Sequence, residues 1–210
     1  MRIGIMGGTF DPPHLGHVVP VDDAARQFQL DQVWFVPNSS PPHKTHPRLT
    51  DSYHRAAMVA LAIQRYPGFL LNTFELNAQK AAYTFDTVRE LRAGVGSGHA
   101  LFFILGTDSF LELDTWYRYE ELIGLCEFII INRGHTEEEL NRNLKRLEVT
   151  LQKNLTNTFH FCRSACIPVS SSEIRAAVLE GRSIAGWVFP EVEDYIRKHA
   201  LYQRREAPSD

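Results

Sequence analysis

Short apolar runs alternate along this chain with longer stretches whose apolar residues recur every three or four positions. The runs fall at residues 3–6, 33–36, 69–72, 101–105, 128–131 and 158–161. They are rich in β-branched, aromatic and leucine side chains, and polar or turn-forming residues bound them, which marks buried strands. Helical spacing covers residues 16–28, 52–66, 84–93, 117–125 and 137–152, and again 174–180, where Gly181 closes the pattern. Strand–helix alternation of this kind predicts an α/β fold: a doubly wound parallel sheet with helices on both faces and a small helical C-terminal segment. Pro20 is the anomaly. It is tolerable if the first helix begins near His17, and otherwise it should kink that helix.

Composition narrows the picture. The 210 residues suggest one domain over 1–202, its C-terminal helical part spanning about 170–202, with 203–210 as a flexible tail. At 44% apolar and 22% charged, the chain can bury a core. A net charge of −3 gives no bulk electrostatic case for nucleic acid. Cys126, Cys162 and Cys166 form no metal-like spacing. Their odd number, with no signal peptide, points to a reduced cytoplasmic setting. No apolar run approaches the length of a membrane helix.

In a doubly wound sheet the ligand lies beyond the carboxyl ends of the strands. The candidates are therefore residues 7–17, 37–44, 75–84, 106–116 and 132–134. The first segment reads Gly7-Gly8-Thr9-Phe10-Asp11-Pro12-Pro13-His14-Leu15-Gly16-His17. Gly7 and Gly8 predict a tight turn and close backbone approach. His14 and His17 stand three apart, on one face of the first helical turn. The exposed N–H groups of that turn favour an anion. A zinc pair is the competing reading, but zinc usually takes a third ligand and none follows nearby. The glycine spacing is not a dinucleotide fingerprint, and the P-loop lysine is missing.

Weaker signals follow. Lys44 ends a Ser/Pro-rich loop and could reach a phosphate, or simply face solvent. Thr84 is placed as the N-cap of a helix beside Tyr83, where N–H groups could bind a planar acid or serve only as a cap. Gly106 and Asp108 follow the fourth run. Asp108 could accept from ribose hydroxyls, lie near a metal-bound phosphate, or cap a helix. Trp116 could stack on a heterocycle or pack in the core. Ser170-Ser171-Ser172-Glu173-Ile174-Arg175 opens a helix, with hydroxyls, N–H groups and a guanidinium converging on a second anion site.

The string GGTFDPPHLGH resembles the HxGH signature of the nucleotidyltransferase superfamily. Together with SSSEIR it resembles the paired signatures of bacterial nicotinate-mononucleotide adenylyltransferases. Val169 and Ser172 stand where that family usually has isoleucine and threonine. Landmarks at Pro37–Lys44, Arg55 with Met58, Ala82-Tyr83-Thr84, Gly106 to Trp116, and Phe189-Pro190 to Tyr202 fall in the family's order. The resemblance implies a Rossmann-like fold and transfer of adenylate from ATP to nicotinate mononucleotide, with release of pyrophosphate. Carried over by position, Gly7, Gly8, Thr9, Phe10, His14, His17, Gly106, Asp108, Ser170, Ser171, Ile174 and Arg175 would contact ATP. His14, His17 and Arg175 would be the catalytic set. Lys44, Tyr83, Thr84, Asp108 and Trp116 would hold the mononucleotide. Mg²⁺ is expected to ride on the substrate phosphates, not on a protein metal site. The expected partners are these small molecules, neither nucleic acid nor membrane, with a homo-oligomer possible.

Rival readings within the superfamily are a nicotinamide-mononucleotide adenylyltransferase and a pantetheine-phosphate adenylyltransferase. The latter are shorter and usually carry threonine at the position of His14. A tRNA-synthetase fragment would need a lysine-rich second motif and an anticodon-binding domain. A non-catalytic nucleotide sensor would not release pyrophosphate.

Overall fold

In a computed structural model the chain is described at residues 1–39, 49–77, 83–132 and 134–203. Residues expected to matter at 40–44, Lys44 among them, lie outside these, as do Ala82 and 204–210 of the expected tail.

Six strands form one parallel sheet: β1 (Arg2–Gly8), β2 (Gln32–Pro37), β3 (Phe69–Leu71), β4 (Ala100–Gly106), β5 (Glu127–Ile131) and β6 (Phe159–Cys162), in the order β3-β2-β1-β4-β5-β6. The Rossmann-like architecture is present, and its order reverses between β1 and β4. The helices are α1 (Leu15–Gln27), α2 (Ser52–Ile63), α3 (Thr84–Val95), α4 (Thr107–Leu111), α5 (Tyr119–Leu122), α6 (Glu137–Leu151), α7 (Ser171–Leu179) and α8 (Pro190–Lys198).

Alternation along each strand builds two cores. Phe102 and Ile104 of β4, with Ile129 and Ile131 of β5, pack on the side of α1, α2, α7 and α8. Leu101, Phe103 and Leu105, with Phe128 and Ile130, pack on the side of α3 to α6. Covering both faces explains why these strands read as continuous apolar runs. A one-residue slip would exchange the two sets, so the register is firmly specified.

Several boundaries differ from expectation. Gly7 and Gly8 continue β1, opposite Val36 and Pro37, and do not form the turn. The turn falls on Phe10, whose φ is 50° and whose ring is buried beneath Gly8. A Cβ on Gly8 would stand 2.9 Å from that ring, so the glycine serves close approach. The first helix starts at Leu15 rather than near His17, so Pro20 sits inside it, buried. The helix continues through Pro20 to Gln27, although Gly16 C=O has no i+4 donor there. The expected helix at 117–125 shrinks to α5, and α4 was read as loop. The N-cap of α3 is Tyr83, one residue before Thr84.

Candidate functional site

The reversal between β1 and β4 is where a doubly wound sheet holds its ligand, in the cleft beyond the strands' carboxyl ends. The loop after β1 enters α1 through His14, the N-cap residue, which is 4% exposed. The His14 and His17 rings lie with centroids 3.7 Å apart, and Phe10 meets His17 edge-on at 5.2 Å. Gly16 is needed here: a Cβ would lie 3.1 Å from the His14 ring and 3.1 Å from Ile167 C=O. Leu15 N–H donates to Trp187 C=O at 2.9 Å, fixing the helix start against the segment before α8.

The second motif reaches this loop directly. Arg175 Nη1 donates to Asp11 C=O at 2.7 Å, and Ser171 Oγ donates to Pro12 C=O at 2.8 Å. Two segments separated by more than 150 residues in sequence thus meet above β1. The start of α7, expected as a second anion site, already has two of its groups paired. Ser170 and Glu173 form a capping box: Glu173 N–H donates to Ser170 Oγ, and Glu173 Oε2 accepts from Ser170 N–H at 2.9 Å and from Ser170 Oγ at 2.7 Å. These bonds, with the nearby His14, hold the Glu173 carboxyl below its ordinary range. Ser170 is therefore committed to the helix, and Glu173 puts negative charge where an anion was expected. Ile174 is fully buried in the core, and Phe10 is 2% exposed, so neither side chain offers surface to a ligand.

Sequence reasoning treated Arg55 only as a landmark, yet this residue organises the loop. It is wholly buried, and its guanidinium ties three chain segments together. Nη1 donates to Thr9 C=O (2.6 Å), Nη2 to Asn38 C=O (2.7 Å) and Ser39 C=O (2.9 Å), and Nε to Thr50 C=O (3.0 Å). Burial lowers its pKa, and the charge of Asp11 pushes the other way. Asp11, 4% exposed, accepts from Tyr202 Oη at 2.7 Å, and desolvation with this carboxylate raises the Tyr202 pKa. A signal for Arg55 existed: a cation inside the apolar stripe that Ala56, Met58, Val59 and Ala62 define on α2.

The other predicted residues line the same carboxyl edge. Tyr83 lies tilted against Tyr117, centroids 4.5 Å apart, and the Tyr83 side chain makes no cap hydrogen bond to the α3 N-terminus. Trp116 is half-buried and meets Phe103 edge-on at 6.1 Å. Glu75 and Thr87 brace this corner. Thr87 Oγ1 donates to the buried Glu75 carboxyl at 2.6 Å, and burial raises that carboxyl's pKa. Gly106 is the N-cap of α4, and the exposed Asp108 lies in its first turn. A cavity of about 840 Å³ opens at the carboxyl ends of β5 and β6, lined by Asn132, Gly134, Leu140, Phe161, Cys162 and Arg163. Burial raises the Cys162 thiol pKa to about 11, so it stays a thiol. Among the described residues no helix is long and apolar enough to cross a membrane.

Known proteins agree with this architecture. The cytidylyltransferase-like family model matches residues 5–177. A probable nicotinate-nucleotide adenylyltransferase of Thermoanaerobacter sp. (strain X514) is 38% identical, over 98% of this chain and 96% of that protein. The Bacillus subtilis nicotinate-nucleotide adenylyltransferase is 46% identical over 63% of this chain and 69% of its own. In structure, the chain resembles the Plasmodium falciparum nicotinic acid mononucleotide adenylyltransferase complexed with NaAD. That match has a TM-score of 0.74 and 24% identity, over 96% of this chain and 97% of that one, and it supports the fold. With matched segments that include both phosphate motifs and the sheet between them, the chain belongs to the nicotinate-nucleotide adenylyltransferases, within the cytidylyltransferase-like family.

Proposed function

We infer that this chain joins the adenylyl group of ATP to nicotinate mononucleotide, forming nicotinate adenine dinucleotide and pyrophosphate. The observation that carries this reading is the direct bonding of Arg175 and Ser171 to the loop that leads into His14 and His17. It puts a guanidinium, a hydroxyl and two imidazoles around one helix start.

The mononucleotide phosphate is ionised near neutral pH, so its oxygen attacks the ATP α-phosphorus in line without a general base. The pyrophosphate oxygen leaves as the new P–O bond forms. Catalysis then rests on positioning and on neutralising charge as it develops. His14 and His17 are assigned to the polyphosphate as donors. Arg175 has five N–H donors, so it can face phosphate oxygens while Nη1 stays on Asp11. Gly8 and Thr9 supply backbone beside them. We assign the adenosine part to the cavity beside β5 and β6; Gly106 pairs with Ile131, the residue before the lining Asn132, and Asp108 meets His135, the residue after the lining Gly134.

At the other end of the cleft, the α3 start favours a carboxylate through backbone donors and the helix dipole. Tyr83 and Trp116 supply flat apolar surface for the ring. This corner would select the acid over the amide. Among the described residues no three His, Cys, Asp or Glu side chains gather as a metal site. Mg²⁺ is assigned to the ATP polyphosphate because its oxygens suit a hard cation, whereas imidazoles such as His14 and His17 are poor magnesium ligands. The free thiols suit a reducing cytoplasm, where we place the protein.

The test is pyrophosphate release from ATP with nicotinate mononucleotide, nicotinamide mononucleotide and phosphopantetheine in parallel. Turnover with the first and far less with the others is expected. Equal efficiency with the amide defeats the acid preference, and no release with any acceptor defeats the reading.

A further inference from the structure

The loop after β5 carries a device that the adenylyl-transfer reading leaves unused. Asn132 folds it. The Asn132 Oδ1 accepts from the N–H groups of Gly134 (3.0 Å) and His135 (2.9 Å), and its Nδ2 donates to His135 C=O at 2.8 Å. This turns the His135 ring back across the edge of the sheet toward α4. Its Nε2 lies 3.1 Å from Asp108 Oδ1, and its Nδ1 lies 3.5 Å from Glu139 Oε2. Among the described residues, the charged groups that face the ring are thus two carboxylates, Asp108 from α4 and Glu139 from α6. The His135 side chain is 27% exposed and that of Asp108 68% exposed. Left alone, so exposed an aspartate would sample several rotamers, and the more enclosed imidazole holds it to one.

We propose that His135 is a pH-sensitive positioning residue, which in its imidazolium form holds the Asp108 carboxylate at the mouth of the ATP site by an ion pair and on deprotonation loosens that hold. A neutral imidazole carries one N–H and can serve one carboxylate, whereas the imidazolium serves both. The Asp108 hydrogen bond is the main cause that raises the His135 pKa above the ordinary histidine value, with desolvation opposing it and the charges of Asp108 and Glu139 adding to it. The sign follows. A histidine with a raised folded pKa keeps its contact below the ordinary value and loses it as pH rises through the raised one. On the alkaline side Asp108 then loses the ion pair and keeps at most a neutral hydrogen bond, for which Glu139 competes. The same loop lines the cavity assigned to adenosine, through Asn132 and Gly134, so ATP affinity is the quantity that should respond. The proposal rests on the reading of Asp108 as an ATP contact.

Two measurements test it. The first needs no activity: the His135 ring proton is titrated by NMR in the intact protein and in Asp108→Asn. A midpoint above the ordinary histidine range that falls in Asp108→Asn is expected. An ordinary midpoint, or one indifferent to that substitution, overturns the pairing.

The second follows KM for ATP and kcat between about pH 6 and 9, the range a shifted histidine spans, in the wild type, His135→Gln and His135→Ala. Wild-type KM should rise roughly two- to fivefold toward alkaline pH while kcat holds, the scale of one exposed ion pair. His135→Gln keeps an N–H donor but no charge, so its KM should lack that rise and lie near the alkaline wild-type value at every pH. His135→Ala should show the raised KM throughout. Titration of the ATP phosphates is common to all three proteins and cancels. A His135→Gln profile that still follows the wild type overturns the proposal. Absence of pyrophosphate release in every protein, beside a coupled His135 titration, would instead fault the assigned reaction.

Discussion

The starts of α1 and α7 read alike in sequence, each as a helix terminus aimed at an anion, but they are built differently. At α1 the N-cap is His14, no side chain caps the helix, and no acidic residue stands in the first turn. At α7 a reciprocal capping box closes the terminus, with Glu173 inside it. The box pairs the N–H groups of Ser170 and Glu173 and adds a carboxylate, and it leaves the N–H groups of Ser171 and Ser172 outside it. The comparison separates two roles. The α1 start offers a terminus and imidazoles, while α7 contributes the side chains of Ser171 and Arg175, delivered by a helix whose own first turn the box holds.

The largest expected effect is at the α1 start. His17→Ala should keep its fold and lose on the order of a hundredfold or more in turnover, the scale of one lost transition-state donor. Near-normal turnover would remove His17 from the phosphate site. Next comes the frame beneath the loop. Arg55→Met leaves the carbonyls of Thr9, Asn38, Ser39 and Thr50 without their donor and Asp11 without its facing charge. A loss of about 3–5 kcal/mol in urea unfolding is expected, as for a broken buried ionic network. A loss below about 1 kcal/mol would mean that the loops hold themselves.

Smaller effects sharpen the contrast. Ser170→Ala removes only a cap, so it should cost about 1 kcal/mol of stability. Its turnover loss should be far smaller than that of His17→Ala. If both fell equally in pyrophosphate release, Ser170 would be a phosphate ligand after all. The smallest effect concerns Glu75. Its folded pKa is raised by burial, so its contribution to stability is present below the ordinary carboxylate pKa and declines as pH rises through the raised value. Glu75→Gln should flatten that decline in unfolding curves taken across the acid range, and an unaltered slope would assign it elsewhere.

Much of this was legible in the chain. The six apolar runs became six strands in place, because a sheet covered on both faces demands continuous apolar sequence. The meeting of the loop after β1 with α7 could not be read from spacing, since it depends on how α7 packs across the sheet. The role of Phe10 was hidden for a related reason. A glycine pair signals a turn, but here the chain spends both glycines in β1 and places the left-handed residue at an aromatic whose ring fills the core. The capping role of Ser170 was not legible, because a capping box and an anion site share the same residues and only the Glu173 hydrogen bonds reveal the box. His135 carried no pattern signal at all. Its partner Asp108 lies 27 residues away, brought near by the adjacency of β4 and β5.

The central claim is that His17 on α1 and Arg175 on α7 act on one polyphosphate. A double-mutant cycle in pyrophosphate release from ATP and nicotinate mononucleotide tests it most directly. If the two side chains act as a unit, His17→Ala combined with Arg175→Ala should lose much less than the product of the single losses. Strictly multiplicative losses would show that they act independently and would contradict the account.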